Sequence, residues 1–390
     1  MAEESQITNL QPRGRNARLH SYPPMSHTQP SLITPNNSVI EHSVFGGRYR
    51  FLRRLAQGGS GTVWSVQDNL GIFDKCAIKL PHCDPVDPSI RERYRREAWF
   101  LDRLGANPHV VRHHTWGESN GVPYIIMELL GISLRELIEL YRHDQTPLSL
   151  DLISSIILQV CSALVVAHRN LWPGPFLHLD INPNNVLFQS TIETRPVAKI
   201  VDFGSARVGR QRHLMALPAE GTPGYMAPEQ ERGDREALCP ATDVFAIGVL
   251  ALELLLLQPG QVSWLQHSVL GAAGQDDNTP WESPQLIARR PDVPIALWHV
   301  LRQATRPSAT ERFGDAGALA DAWIAAMAMA PAQPTPAELS VHLWPALSPP
   351  PLTQLLPCPA TKLLTRQIAS ANGISHDSDP LRLLPPNLHV

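Results

Sequence analysis

Residues 178–188 read HLDINPNNVLF, and residues 199–207 read KIVDFGSAR. Each contains a short apolar run of strand character, each carries an acidic residue at its edge, and a short polar hairpin joins them. Asp180, Asn185 and Asp202 supply hard oxygen ligands, or a base, in the combination that a magnesium-bound phosphate requires. Taken singly, each is as readily a turn former. Their order behind the upstream features below is what gives them weight.

Working back from this segment, residues 56–63 read AQGGSGTV, a Gly-rich turn between two predicted strands. Missing side chains there let backbone amides approach phosphate oxygens. A plain structural hairpin is the competing reading. A dinucleotide fingerprint is disfavoured, because that motif must open a helix. Sixteen residues beyond Val63, CAIKL places Lys79 on a strand between apolar neighbours. A lysine there is ordinarily solvent-facing, and a functional role needs a carboxylate partner, for which Glu97 is the candidate.

The surrounding periodicity gives a β-rich first part and an α-rich second. Tyr49 to Leu55, Val63 to Gln67 and Lys75 to Leu80 read as strands of a small antiparallel sheet. Ile90 to Leu104 reads as a helix with Tyr94, Ala98 and Leu101 on one side and Arg91, Arg93, Arg95 and Arg96 as its solvated face. Ser133 and Glu136 form a capping box that starts a helix at LRELIELY. A longer helix follows Pro147, with Ile153, Ile157, Val160, Leu164 and Ala167 on one face. Beyond Glu229 the pattern is helical. Two apolar runs, Leu152 to Ala167 and Val244 to Leu257, fall short of the roughly 18 to 20 residues that a bilayer needs and read as buried helices.

Composition narrows the function classes. The chain has 390 residues, 43% hydrophobic and 18% charged, which suits a packed globular core. Thirty-three basic and 36 acidic residues leave a formal charge of -3, so no overall field favours nucleic acid or an anionic membrane. Five scattered cysteines without a C-x-x-C pair suggest neither a disulfide framework nor a zinc knuckle. With no secretory signal at MAEESQITNLQPRGR, a reducing, cytoplasmic setting is expected. Residues 1–44 are too poor in buriable surface to order and read as a flexible leader. Residues 326–390 read as a Pro-rich tail, largely disordered, with twelve prolines from 331 onward. A P-x-x-P at Pro331 to Pro334 leaves an unknown tail partner open beside the plainer reading of an extended linker. His109, His113 and His114 cluster in sequence, but no Cys or carboxylate set completes a metal site.

These motifs together resemble the eukaryotic-like (Hanks-type) serine/threonine protein kinases. The match runs from AQGGSGTV through CAIK, Glu97, HLDINPNN and DFG to GTPGYMAPE at 221–229. The resemblance implies a bilobal α+β fold spanning about 45–325, with a β-rich lobe of about 45–130 and a helical lobe of about 131–325. It also implies an ATP- and magnesium-dependent transfer of phosphate to a protein substrate. Lys79, held by Glu97, would orient the α- and β-phosphates under a loop formed by Ala56, Gly58, Gly59 and Gly61. Asn185 and Asp202 would hold magnesium, and Asp180 would take or orient the hydroxyl proton. Adenine would lie between Val63 and Ala77 above and Leu187 below, bonding to backbone at Glu128 and Leu130 beside Met127. Asp243 would brace the catalytic loop, Arg312 would pair with Glu229, and His178 would pack on Phe203.

The chain departs from the family pattern in three places. Ala56 stands at the first loop glycine. Leu179 stands where an arginine usually grips a phosphate on the activation segment, and that segment carries only Ser205, Thr222 and Tyr225 as hydroxyls. Activity independent of phosphorylation there is expected. Asn182 replaces a lysine that neutralises the γ-phosphate, so reduced turnover is expected, with Asn182 and Thr222 kept in the catalytic set. Thr222 in GTPGY points to serine/threonine rather than tyrosine specificity. A pseudokinase that binds nucleotide without efficient transfer, and a small-molecule kinase sharing the aspartates, are the alternative readings.

Overall fold

A six-stranded antiparallel sheet forms the first half of the molecule, in the order β1-β2-β3-β4-β6-β5. In the computed structural model the described residues are 42–59, 61–73, 75–82, 87–169, 174–189, 196–208, 221–257 and 289–329. They fall within one unit, Ile40–Val390. The strands are β1 (Val44–Phe45), β2 (Tyr49–Gly58), β3 (Gly61–Asp68), β4 (Lys75–Leu80), β5 (His113–Ser119) and β6 (Val122–Glu128). The expected leader and tail lie outside the described residues, except for 42–44 and 326–329. Val44 is paired with Arg50 in the sheet, although it falls within the span expected to be leader.

The three strands expected from sequence are present, and β5 and β6 complete the sheet. Their hairpin turns at Asn120 and Gly121, both at positive φ (51° and 79°), the two-residue geometry that Asn-Gly favours because it matches strand twist. Helix α1 (Pro88–Leu104) starts where the Asp87 side chain accepts the Ser89 N–H and Pro88 takes a position whose N–H would be unused. Its Tyr94, Ala98 and Leu101 are buried as the spacing predicts. Of Arg91, Arg93, Arg95 and Arg96, expected together on the solvated face, only Arg91 and Arg95 are exposed. Arg93 and Arg96 are half-buried, because they lie on the Glu97 side of the helix, and Arg96 Nη2 donates to Gly204 O at 3.3 Å.

The second half is helical: α2 (Leu134–His143), α3 (Leu150–Arg169), α4 (Pro228–Glu231), α5 (Pro240–Leu256), α6 (Ile295–Ala304) and α7 (Ala316–Ala328). The capping box of α2 forms as expected, Ser133 N donating to Glu136 Oε2 at 2.7 Å and Glu136 N to Ser133 Oγ at 3.2 Å. Short pairs β7 (Phe176–Leu177) with β10 (Arg207–Val208), and β8 (Val186–Phe188) with β9 (Ala198–Ile200), lie between the helices. Helix α3 is long and apolar enough by composition to cross a membrane, yet Leu152, Ile153, Ile156, Ile157, Val160, Cys161 and Leu164 are buried, and the helix packs on α5 and α7. In α5 every residue from Ala241 to Leu255 is buried, which makes it the axis of this half. Burying each Leu, Ile or Val contributes about 1.5–3 kcal/mol, so these two helices anchor whatever is tied to them.

Candidate active site

The sheet register sets one wall of the site. Val63 pairs with Lys79, Ser65 with Ala77, Lys79 with Ile125, and Ala77 with Met127. Because side chains alternate along each strand, Val63, Ala77, Lys79, Met127 and Ile125 share one face. Lys79 is buried there, and its Nζ donates to Glu97 Oε1 at 2.7 Å, Glu97 Oε2 at 2.8 Å and Asp202 Oδ1 at 2.8 Å. Burial opposes the ammonium, but Asp202 and Glu97 outweigh it and hold Lys79 above the ordinary lysine range. A cation fixed between two carboxylates, one of them 29% exposed, presents a preset charge to an anion entering from the Asp202 side.

The opposite wall is the catalytic loop. Asp180 Oδ1 accepts Thr222 Oγ1 at 2.6 Å and Asn182 Nδ2 at 3.0 Å, while Asp180 Oδ2 accepts Asn185 Nδ2 at 2.8 Å. Asn182 Nδ2 also donates to Thr222 Oγ1 at 3.0 Å. Both Asp180 oxygens are therefore held by neutral donors, which fixes their direction without adding charge. Asn182 is 1% exposed and its Oδ1 accepts Asn184 N–H at 2.9 Å, so it braces Asp180 and starts the 3₁₀ turn Pro183–Asn185.

Asp243 on α5 holds this loop from below. Its carboxylate accepts His178 N–H and Leu179 N–H, each at 2.8 Å, and His168 Nε2–H at 3.0 Å. His168 Nδ1 accepts Ala316 N–H, which fixes the tautomer that donates to Asp243. Burial pushes the Asp243 carboxyl up, and the His168 ring with the Leu179 amide more than offsets it, leaving it below the ordinary range. Leu179 sits at φ 65°, a left-handed conformation that a branched side chain adopts only under constraint. Its carbonyl accepts Gln230 Nε2 at 2.7 Å, so both ends of the residue are tied.

Asp202 is also left-handed, at φ 59°, and caps the 3₁₀ turn Phe203–Ser205 by accepting Gly204 N–H. His178 lies edge-on to Phe203 with centroids 4.7 Å apart, as expected. Asn185 O accepts Val201 N–H at 3.0 Å, which holds Asn185 beside the strand that leads into Asp202. With the Asn185 amide nitrogen committed to Asp180, its carbonyl oxygen is the end left for a cation. An amide oxygen and a carboxylate beside an ammonium form a donor set of the hard-oxygen type that magnesium with a polyphosphate requires.

The Gly-rich segment is a tight hairpin in which Ala56 pairs with Val63 and Gly58 with Gly61; Gly59 is exposed at its tip. Gly61, at φ 145°, passes so close to β4 that a Cβ would lie 2.3 Å from Leu80 O. Leu187, the expected adenine floor, pairs with Lys199 in the β8–β9 hairpin, and Leu130 is buried just after β6. Arg312 and Glu229 form the expected buried pair at 2.7 and 2.8 Å. The three clustered histidines part company: His109 bonds Ala198 O, His113 bonds Asp102, and His114 stacks on Phe73. Among the described residues no group of His, Cys, Asp and Glu is arranged to hold a metal by itself. The middle of the activation segment, 209–220, lies outside the described residues.

Sequence reasoning missed several supports. His168 acts on the loop through Asp243, which lies 75 residues further along the chain, and Gln230 bonds Leu179 across 51 residues; neither carries a local signal. Arg135 bridges α2 to Glu253 on α5 at 2.6 Å and to Tyr225 OH at 2.8 Å, and Tyr225 OH also bonds Glu253.

Residues 49–277 match the protein kinase domain model. The chain belongs to the protein kinase family. Among relatives of this kinase domain are the probable serine/threonine-protein kinase PknB of Lactococcus lactis and the serine/threonine-protein kinase PknD of Mycobacterium tuberculosis. The first is 29% identical over 70% of this chain and 41% of its own length. The second is 33% identical over 70% of this chain and 39% of its own length. This chain thus spans about two fifths of the length of these relatives. A crystal structure of the PknI kinase domain from M. tuberculosis superposes with TM-score 0.52 at 26% identity, covering 75% of this chain and 100% of that one.

Proposed function

We propose that this kinase domain transfers the γ-phosphoryl group of ATP, with magnesium, to serine or threonine hydroxyls of a protein substrate. The observation that carries the reading is the convergence of Lys79, Glu97 and Asp202 at 2.7–2.8 Å opposite an Asp180 held by Thr222, Asn182 and Asn185. Magnesium ATP, when bound, supplies the phosphoryl group and the divalent charge that offsets it. Lys79 orients the α- and β-phosphates, and Glu97 keeps the ammonium in place. Asp202 and Asn185 offer the metal-binding oxygens. Asp180 orients the substrate hydroxyl and takes its proton as the new P–O bond forms and the bond from the γ-phosphorus to the bridging oxygen breaks, with ADP as the leaving group. Thr222, bonded to Asp180, borders the place where that hydroxyl enters. Val63, Ala77, Met127 and Leu187 enclose the base, and the backbone at Glu128 and Leu130 bonds it.

Two finer parts belong to the same proposal. The activation segment needs no phosphate, because Leu179 offers no cation for one. Turnover is modest, because Asn182 supplies hydrogen bonds but no charge to the transferring group. A cytoplasmic setting belongs to the same proposal, and what supports it is the sequence, with five scattered cysteines and no C-x-x-C pair. The Pro-rich tail remains a candidate contact for a partner.

The same Leu179 and Asn182 favour a second reading, a pseudokinase that binds nucleotide without efficient transfer. Labelled ATP, magnesium and a generic basic protein, with an Asp202→Ala control, separate the two. Phosphoserine or phosphothreonine lost in the control supports the first reading. Nucleotide binding without label on protein overturns it in favour of the second.

A further inference from the structure

Lys199 is a buried cation with no place in the mechanism above. It lies on β9, three residues before Asp202, and its side chain is 5% exposed. Its Nζ donates to Glu128 Oε1 at 2.7 Å, and the same oxygen accepts the Arg112 backbone N–H at 2.6 Å. Glu128 N–H in turn donates to Arg112 O at 3.0 Å, so side chain and backbone of Glu128 grip one linker residue. That linker is itself laid against β9: Ile200 N–H donates to His109 O at 2.8 Å, and Val111 N–H donates to Ile200 O at 3.0 Å. One carboxylate oxygen thus joins the end of β6, the linker between α1 and β5, and the strand leading to Asp202.

Lys199 is also the cross-strand partner of Leu187, so the two side chains rise from the same face of the β8–β9 hairpin. The ion pair therefore fixes the height of the floor residue Leu187 relative to the edge at Glu128 and Leu130. A buried ion pair often adds little net stability over apolar residues of similar size, so geometry is the role to look for here.

We propose that Glu128 and Lys199 are a positioning pair for the nucleotide. They set the spacing between the base-binding edge and the hairpin that carries Leu187 and leads to Asp202. The inference rests on the nucleotide-binding reading above. It requires the pair to act on affinity for ATP more than on folding.

The test is ATP and ADP binding by the whole chain, followed by calorimetry with magnesium present, beside thermal unfolding. Lys199→Met alone leaves Glu128 short of its cation and can misfold, so the neutral double variant Glu128→Gln with Lys199→Met is the main probe. It is expected to keep its unfolding midpoint and to bind ATP about tenfold more weakly. Lys199→Arg is expected to stay within about threefold of wild type, because a guanidinium still reaches the carboxylate. The reversed pair, Glu128→Lys with Lys199→Glu, is expected not to recover affinity, because the Arg112 N–H needs an acceptor at position 128. A double variant that binds ATP as tightly as wild type overturns the positioning role alone. A wild-type chain that binds no ATP overturns the nucleotide site, and this role with it.

Discussion

Replacing Asp243 by asparagine removes one acceptor lone-pair set from a site with three donors. The carboxylate is 1% exposed and accepts His178 N–H, Leu179 N–H and His168 Nε2–H. The donors from His178 and His168 share Oδ2, so the least costly orientation of the new amide turns its carbonyl to them. Its NH₂ then faces the Leu179 N–H. His168 cannot relieve the clash by changing tautomer, since its Nδ1 accepts Ala316 N–H. One buried donor is orphaned and the charge assistance to two others is lost, a change of about 2–3 kcal/mol. For a domain of this size the unfolding midpoint should fall by roughly 3–5 °C. The orphaned amide belongs to Leu179, whose left-handed backbone holds Asp180 in place, so activity measured well below the midpoint should fall at least tenfold as well. Asp243→Ala, which orphans all three donors, should cost more, about 3–5 kcal/mol. Tryptophan fluorescence melts and phosphate transfer on the same preparations check both effects. An Asp243→Asn protein that melts within a degree of wild type at full activity would refute the bracing argument.

Gly61→Ala should destabilise the small lobe by about 1–3 kcal/mol, since its Cβ would meet Leu80 O at 2.3 Å in a left-handed region closed to alanine; urea melts read this. Glu97→Gln leaves Lys79 a weaker partner and should lower turnover by at least tenfold with a smaller loss of ATP affinity, measured by steady-state kinetics beside direct binding. Where β2 begins and β3 ends, Arg48 holds the Asp68 carboxyl down to about 2 from 3.8. Because the folded value is depressed, its contribution is complete above about pH 4 and is lost as pH falls through about 2. Arg48 is 26% exposed, so solvent trims that contribution to roughly 1–2 kcal/mol. Acid unfolding of Arg48→Met should lack this component, and an unchanged acid limb would contradict it.

The site was more legible than the sheet that carries it. Lys79, Glu97, Asp180, Asn185 and Asp202 stand in fixed order with unusual residue types, and each has a local strand, helix or turn signal. Edge strand β5, HHTWGES, lacks the apolar alternation that marks a strand, and only the Asn120-Gly121 dipeptide betrays its hairpin with β6. Arg93 and Arg96 read as solvated because charge pattern alone does not show that the Asp202–Gly204 turn lies against that side of α1. His168, Gln230, Glu253 and Lys199 act across 50 to 120 residues of chain, where only the fold brings donor to acceptor. Asn182 shows the limit most clearly: the substitution is visible as a lost lysine, while its role as a brace for Asp180 and Thr222 appears only in the geometry.

A crystal structure of the chain soaked with manganese and a non-hydrolysable ATP analogue tests the central claim most directly, because the anomalous signal locates the metal independently of the phosphates. The account predicts metal density between Asn185 and Asp202, with Lys79 Nζ within bonding distance of the α- and β-phosphates. Metal and phosphates bound elsewhere, with Lys79 still closed on both Glu97 and Asp202, would contradict it.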